Sequence, residues 1–328
     1  MGDRSMKLLV TRPIPEEAVA RLRAEPGVDT TMLEEDAAMD RGLLLDAAAD
    51  ADVILALLTE RVDAELFDRS PDLRMVANMA VGFDNVDIDE AAVRGIWVTN
   101  TPGVLDGATA DLAMALLLAA ARRLPESERF LRAGRYKRWG PMLLCGQEVH
   151  GRTLGILGMG RIGEAVARRA RLGFGMEILY WDERGRADLE EELGVRRTDL
   201  DTLLGAADFV SIHLPLTEGT AGLIDAERLG RMKPTAVLVN TARGPIVDEG
   251  ALAAALRSGA IWAAGLDVFE REPEVHPDLI ELDNAVLLPH IASASIPTRL
   301  AMAELAVSNV LALHRGEDPP TPVVRGTR

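Results

Sequence analysis

The amino-acid sequence predicts an α/β protein built from two doubly wound parallel-sheet domains. Short β-rich runs alternate with helical or turn-rich stretches in two separate series, one in the first third of the chain and one from Gly151 onward. Such alternation puts parallel strands in a sheet covered by helices on both faces. At 328 residues the chain is also too long for one ordinary domain and suits two, each large enough to bury a core.

The first series reads KLLVTR, VDTTML, VILALL from Val53, RMVANMA from Arg74 and IWVTN from Ile96. From Asp106 an apolar helical pattern runs to about Arg123. Its most apolar part, Leu112 to Ala121, is roughly half the ~20 residues that span a bilayer and reads as a core helix. The next stretch, PESERFLRAGRYKRWGPMLLCG, is charged and broken by Gly and Pro, so it reads as a connecting arm beside a domain boundary. The second series reads RTLGIL, MEILYWD, ADFVSIHL, TAVLVNT, AAGLDVF and AVLLPH. Pro297 to Arg315 forms one more amphipathic helical pattern, followed by an extended GEDPPTPVV. That helix has no sheet of its own and is expected to return to the first domain.

Composition removes several classes of function. Asp and Glu outnumber Lys and Arg by 52 to 36, and the net charge of -16 leaves no broad basic surface for a phosphate backbone, so nucleic acid is not expected as a partner. A single cysteine, Cys145, forms no intrachain disulfide and fits a reducing compartment. The opening MGDRSMKLLVTR does not read as a signal peptide, so a cytoplasmic location with no membrane association is expected. H-E-x-x-H, paired Cys-His spacing and G-x-S-x-G are all missing, so neither a metal site nor a nucleophile triad is expected.

In TLGILGMGRIGEAVARRA, Gly158, Gly160 and Gly163 have G-x-G-x-x-G spacing directly after an apolar strand and directly before a helix, with Met159, Arg161 and Ile162 between them. Glycine triplets also serve ordinary turns, and the context is what lends this one meaning. The first glycine permits a tight turn, the second lets backbone approach a pyrophosphate, and the third lets helix and strand pack closely. The following strand ends in Asp182, 24 residues after Gly158, where a carboxylate accepts hydrogen bonds from adenosine ribose hydroxyls and repels a 2′-phosphate. NAD(H) is therefore favoured. NADP(H) stays open, because Arg184 and Arg186 are close by and could attract a phosphate.

Three further strand ends carry polar residues in apolar surroundings: Arg243 in VNTARGPIVDEGAL, Glu272 in LDVFEREP and His290 in LLPHIASAS. The carboxyl ends of parallel strands face the ligand crevice, so these side chains can converge although they are distant in sequence. Singly, an Arg after a strand is usually a surface charge and a His after Pro a loop residue. Together they suit reduction of a 2-oxo acid. The arginine fork would hold the carboxylate and polarise the carbonyl, the histidine would deliver a proton, and the glutamate would orient the imidazole. Of the five histidines, His150, His276 and His314 lie where a solvated role is adequate, and His213 reads as lining the cofactor cleft without moving protons.

With those motifs in view, the chain resembles the D-isomer-specific 2-hydroxyacid dehydrogenases, and within them the glyoxylate/hydroxypyruvate reductases. The resemblance runs from AVGFDNVDI through TPGVLDGATADLAMALLL, LGILGMGRIG, NTARGPIVDEGAL and AAGLDVFEREP to LPHIASAS. It implies a Rossmann cofactor domain, residues 105–291 with a dimerisation arm at about 122–148, inserted in a discontinuous flavodoxin-like substrate domain, residues 1–104 and 292–328. It also implies a homodimer. Arg243, Glu272 and His290 match the substrate-binding Arg, the His-orienting Glu and the proton donor. The N–H groups of Val81 and Gly82 match those that hold the substrate carboxylate, Leu57 matches a pocket wall, and Ser293 is a further substrate-side position. Trp139, in WGPMLLCG, matches a residue that reaches the partner subunit's site. Thr109, His213, Leu214, Pro215, Thr241, Ala242 and Asp267 fall at cofactor-cleft positions. The resemblance implies reversible, D-specific reduction of glyoxylate or hydroxypyruvate. D-lactate-type or D-3-phosphoglycerate dehydrogenation on the same scaffold is the alternative, and a cofactor-sensing, corepressor-like binding protein is a more distant one.

Overall fold

The structure is a computed structural model and describes residues 5–33 and 40–327. The chain divides into two compact units, Met1–Leu105 with Ser293–Arg328, and Asp106–Ala292.

The first unit opens with β1 (Met6–Val10), α1 (Glu16–Ala24), β2 (Val28–Met32), α2 (Arg41–Ala48), β3 (Val53–Ala56), α3 (Ala64–Arg69), β4 (Met75–Asn78), α4 (Ile88–Val93) and β5 (Trp97–Thr99). Its strands order as β2-β1-β3-β4-β5, all parallel, the flavodoxin-like doubly wound arrangement. β3 and β4 are buried at every position, as expected of strands covered on both faces, and so carry continuous apolar runs instead of alternation.

The second unit contains α5 (Asp106–Ala121), α6 (Leu124–Arg132), β6 (Thr153–Leu157), α7 (Arg161–Phe174), β7 (Glu177–Trp181), α8 (Ala187–Leu193), β8 (Arg196–Arg197), α9 (Leu200–Ala206), β9 (Phe209–Ile212), α10 (Ala226–Arg231), β10 (Val237–Asn240), α11 (Glu249–Ser258), β11 (Ala263–Leu266), α12 (Pro277–Ile280) and β12 (Ala285–Leu287). The seven parallel strands order as β8-β7-β6-β9-β10-β11-β12, which is the Rossmann order 3-2-1-4-5-6 with one strand added. Two apolar clusters cover the two faces of this sheet. Leu157, Val210, Leu238 and Leu266 point to one, and Ile156, Tyr180, Val237 and Val239 to the other. α5 lies on the second of these faces through Ala113, Leu116, Leu117 and Ala120.

The chain then re-enters the first unit through α13 (Ile296–His314) and β13 (Pro322–Val324). α13 is long and apolar enough to cross a membrane by length and composition, but half of its most apolar window is buried, and it packs on α1, β3 and β4. Arg315 pairs with Glu25 at 2.6 Å, Arg21 bonds Glu304, and His314 bonds the Pro26 carbonyl at 2.9 Å. β13 pairs antiparallel with β5, so a segment expected only to be extended is the edge strand of the first sheet. The arm also differs from expectation: residues 124–132 are helical, opened by Pro125 in the first turn, where a missing N–H costs nothing.

Candidate active site

The sheet edge that carries the strand carboxyl ends of the second unit gathers Arg243, Glu272, His290, the glycine loop and Asp182. β10 ends at Asn240, which is buried. Its Oδ1 accepts the Ala242 N–H at 3.0 Å and its Nδ2 donates to the Arg243 carbonyl at 2.8 Å, so one amide side chain shapes the turn that presents Arg243. Gly244 follows, where a Cβ would sit 1.8 Å from the Phe269 carbonyl carbon. Only glycine allows this turn to lie against the segment after β11 that leads to Glu272. A reciprocal pair then ties that segment to the start of α11. Glu249 accepts the Glu270 N–H at 2.5 Å and the His276 N–H at 3.2 Å, while Glu270 accepts the Glu249 N–H at 2.8 Å.

His290, just beyond β12, adopts φ +53°, a left-handed conformation that costs an L-residue about 1–2 kcal/mol. Asp267 holds it there. The Asp267 carbonyl accepts the His290 N–H at 2.9 Å, and its two carboxylate oxygens accept the N–H groups of Ile291 at 2.8 Å and Ala292 at 2.7 Å. Asp267 is completely buried. Burial pushes its carboxyl above the usual range, and the two amides and the His290 charge offset part of that rise.

With its backbone fixed, His290 places Nδ1 2.8 Å from Glu272 Oε2, while Glu272 Oε1 accepts the Phe269 N–H at 3.0 Å. Burial acts to raise the Glu272 carboxyl. The hydrogen bond and charge of His290, the Phe269 N–H and the nearby Arg243 outweigh it and hold the group below its ordinary 4.5. His290, Glu272 and Arg243 therefore form one electrostatic cluster, and Nε2 of the imidazole makes no hydrogen bond among the described residues.

The glycine loop lies on the same sheet edge, between β6 and α7. Gly158 has φ +93° beside the His213 carbonyl, and a Cβ on Gly163 would lie 2.1 Å from the Gly158 carbonyl oxygen. A Cβ on Gly160 would meet nothing. The N–H groups of Gly160, Arg161 and Ile162 have no acceptor among the described residues. Asp182, just past β7, accepts the Met159 N–H at 2.7 Å through Oδ2 and the Arg184 N–H at 3.0 Å through Oδ1, leaving further lone pairs on both oxygens. Met159 buries its side chain and offers only backbone to this loop, while the Thr241 hydroxyl is buried without a partner among the described residues. Open space at Gly160, unpaired donors at a helix N-terminus and an orphaned hydroxyl fit a bound dinucleotide.

The remaining cofactor-side positions also belong to the second unit. Leu214 is buried and Pro215 exposed after β9, Ala242 is half-buried, and Thr109 is buried in the first turns of α5. His213 Nε2 lies 2.8 Å from Ser211 Oγ, and burial pushes its pKa down to about 4. Leu57, Val81, Gly82 and Ser293 belong to the first unit. Leu57 follows β3, where its N–H donates to the nearly buried Glu60 at 2.7 Å, and Glu60 also takes Thr11 and Arg12. Beyond β4, Asn100 donates to the Val81 carbonyl and Asn78 to the Gly82 carbonyl, both at 2.8 Å, while the N–H groups of Val81 and Gly82 have no acceptor among the described residues. Trp139 is in the arm, with its side chain three-quarters exposed.

Sequence reading missed the residues that hold these turns. Asn240, Glu60, Asn78 and the Glu249–Glu270 pair are polar side chains in or beside apolar strands. That oddity was the available signal. Asp267 was read as a cofactor-cleft residue; both of its carboxylate oxygens are engaged with the loop that carries His290.

A Rossmann sheet with its glycine loop and acidic strand end, sharing an edge with an Arg–Glu–His cluster, defines the class: a dehydrogenase using a nicotinamide dinucleotide. Comparison with known proteins gives the same result. The family described as D-isomer specific 2-hydroxyacid dehydrogenase, NAD binding domain, matches residues 114–292. The chain is 52% identical over 317 residues to a glyoxylate reductase of Korarchaeum cryptofilum, covering 96% of this chain and 94% of that one. It is 50% identical over 323 residues to a glyoxylate reductase of Thermococcus onnurineus, covering 97% and 96%. Among solved structures, the TT0316 protein of Thermus thermophilus superposes with a TM-score of 0.91 at 46% identity, covering 97% of this chain and 100% of that one. An NADPH-dependent glyoxylate/hydroxypyruvate reductase of Sinorhizobium meliloti, in complex with NADP and malonate, superposes with a TM-score of 0.86 at 39% identity, covering 98% of each chain. The chain belongs to the D-isomer-specific 2-hydroxyacid dehydrogenase family.

Proposed function

We propose that this protein reduces glyoxylate and hydroxypyruvate to the corresponding 2-hydroxy acids, reversibly and with D specificity where the product is chiral, and that it uses NADH in preference to NADPH. The observation that carries the reading is the His290–Glu272 pair at 2.8 Å, beside Arg243, on the sheet edge that holds the dinucleotide loop. The naming of full-length relatives as glyoxylate reductases supports the choice of substrate.

Bound nicotinamide cofactor supplies the hydride. Arg243 holds the substrate carboxylate and polarises the adjacent carbonyl. As the carbonyl carbon gains hydride, the carbonyl oxygen gains a proton from His290 Nε2. Glu272 keeps the ring oriented through its bond to Nδ1. In oxidation the same imidazole takes the hydroxyl proton. Thr109, the glycine loop, His213, Leu214, Pro215, Thr241, Ala242 and Asp267 would hold the cofactor, and Arg161 would supply a cation for its phosphates.

The preference for NADH rests on Asp182, whose carboxylate would meet a ribose hydroxyl favourably and a 2′-phosphate unfavourably. The protein acts as a cytoplasmic homodimer joined through the cofactor units and the arm, with Trp139 of each subunit at the other's site. Leu124, Leu131, Trp139 and Met142 support this arrangement, since large apolar side chains clustered on an exposed arm mark a contact surface.

The test is parallel oxidation of NADH and NADPH with glyoxylate, hydroxypyruvate, pyruvate and 2-oxoglutarate. Fast turnover of glyoxylate or hydroxypyruvate with NADH is expected. Activity confined to pyruvate would make this a D-lactate-type enzyme, and activity confined to NADPH would reverse the cofactor assignment.

A further inference from the structure

Arg186 stands close to the acidic strand end but is not available to a ligand. Its Nε and Nη2 form a fork to both oxygens of Asp188 at 2.9 and 2.7 Å, Nη2 also reaches Glu164 Oε2 at 2.8 Å, and Nη1 donates to the Met159 carbonyl at 2.9 Å. Four of its five N–H donors are therefore engaged. Its backbone N–H is held too, by the Tyr180 hydroxyl at 2.8 Å, which donates in turn to Glu190 at 2.5 Å. Met159 is gripped from both sides, by Asp182 at its N–H and by Arg186 at its carbonyl. Glu164 sits in the first turn of α7 and is shared with Arg168 at 3.1 Å. The Arg184 side chain, by contrast, is exposed and makes no hydrogen bond among the described residues.

A 2′-phosphate is a dianion that arginine recognises through paired donors. Two arginines, Arg184 and Arg186, follow Asp182 closely, yet one is locked by two carboxylates. Replacing Asp182 would remove the repulsion without supplying the second cation. We propose that Arg186 is a withheld phosphate-binding cation, and that Glu164 and Asp188, by holding it, determine cofactor specificity together with Asp182. This deepens the NADH reading above and rests on it.

The experiment measures binding of 5′-AMP and 2′,5′-ADP by calorimetry to the full chain. It uses wild type, Asp182→Ser, Glu164→Gln, the double variant, and the double variant carrying Arg186→Gln, with thermal melts to establish folding. NADH and NADPH kinetics run alongside. Wild type is expected to favour 5′-AMP. Glu164→Gln should raise 2′,5′-ADP affinity by about tenfold or more when Asp182 is already replaced, should do far less when Asp182 is present, and should lose that gain with Arg186→Gln. Equal gains in both backgrounds would mean that only a local charge had been removed, and would overturn the proposal while leaving the NADH reading intact. A gain that survives Arg186→Gln would assign the effect to Arg168 and overturn it likewise. Wild type binding 2′,5′-ADP more tightly than 5′-AMP would overturn both readings.

Discussion

The imidazole of His290 and the carboxylate of Glu272 each restrict what the other can do. Nδ1 is committed to Glu272, so any proton transfer runs through Nε2, and Glu272 is kept ionised by the partner it orients. Substituting His290→Asn should lower turnover by about 10²–10⁴-fold while nicotinamide binding, measured by fluorescence, persists. Near-normal turnover would remove His290 from its role. Because the Glu272 pKa is depressed in the folded protein, its stabilising contribution is complete above its ordinary 4.5 and disappears as pH falls through the lower folded value. Denaturation of wild type and Glu272→Gln should therefore diverge at neutral pH and converge as pH falls below 4.5. His213 gives a contrasting case. Its pKa is lowered from 6.5 to about 4 by burial, so it is neutral at physiological pH and loses stabilising value as pH drops through that window. His213→Asn should leave the shape of the turnover pH profile unchanged and flatten the loss of thermal stability between those two pH values. A displaced profile would implicate it in the chemistry.

Loops set by neighbouring strands position the reacting groups. Asp267, at the end of β11, determines the path of the loop after β12 by accepting two consecutive amides, so the strand that does not carry His290 positions it. Asparagine offers one acceptor oxygen in place of two. Asp267→Asn should leave one of the Ile291 and Ala292 amides unpaired, at a cost of about 1–3 kcal/mol in chemical denaturation, and should reduce kcat more than cofactor affinity. In the fingerprint, two glycines serve different ends. Gly163→Ala drives a methyl into the Gly158 carbonyl and should lower both Tm and cofactor affinity, whereas Gly160→Ala meets open space and should spare Tm while still weakening cofactor binding. Equal effects of the two on Tm would show that packing at the third glycine is not the constraint.

At the scale of the molecule, one sheet carries all three candidate catalytic side chains and the nucleotide loop, and the other carries the pinned turns in which the N–H groups of Val81 and Gly82 have no acceptor among the described residues. The first sheet is completed only by residues from the far end of the chain. Asn309 on α13 donates to Thr321 at 2.8 Å, and Thr321 donates to the Asn100 carbonyl at 2.6 Å, which links helix, returning strand and the end of β5. The arm leaves Trp139 and Met142 largely exposed, a poor arrangement for a monomer. Sedimentation should give a dimer, and Trp139→Ala should raise KM for the oxo acid without changing cofactor affinity. A monomer, or an unaltered KM, would remove the arm from the substrate site.

Chemistry confined to short segments was legible from residue types alone. The glycine spacing with Asp182 behind it, the Arg, Glu and His at three strand ends, and the alternation that produces two parallel sheets all depend on local geometry, which neighbours in sequence encode. Burial and partner choice are different, because they depend on which distant residues pack together. Nothing near Asp267 reveals that its carboxylate holds the loop of His290, nothing near Arg186 reveals that α7 and α8 have taken its donors, and PPTPVV reads as extended until β5 offers it an edge. Those assignments arise from packing between segments far apart in the chain, which places a few charged and amide side chains where water cannot satisfy them and other parts of the chain must.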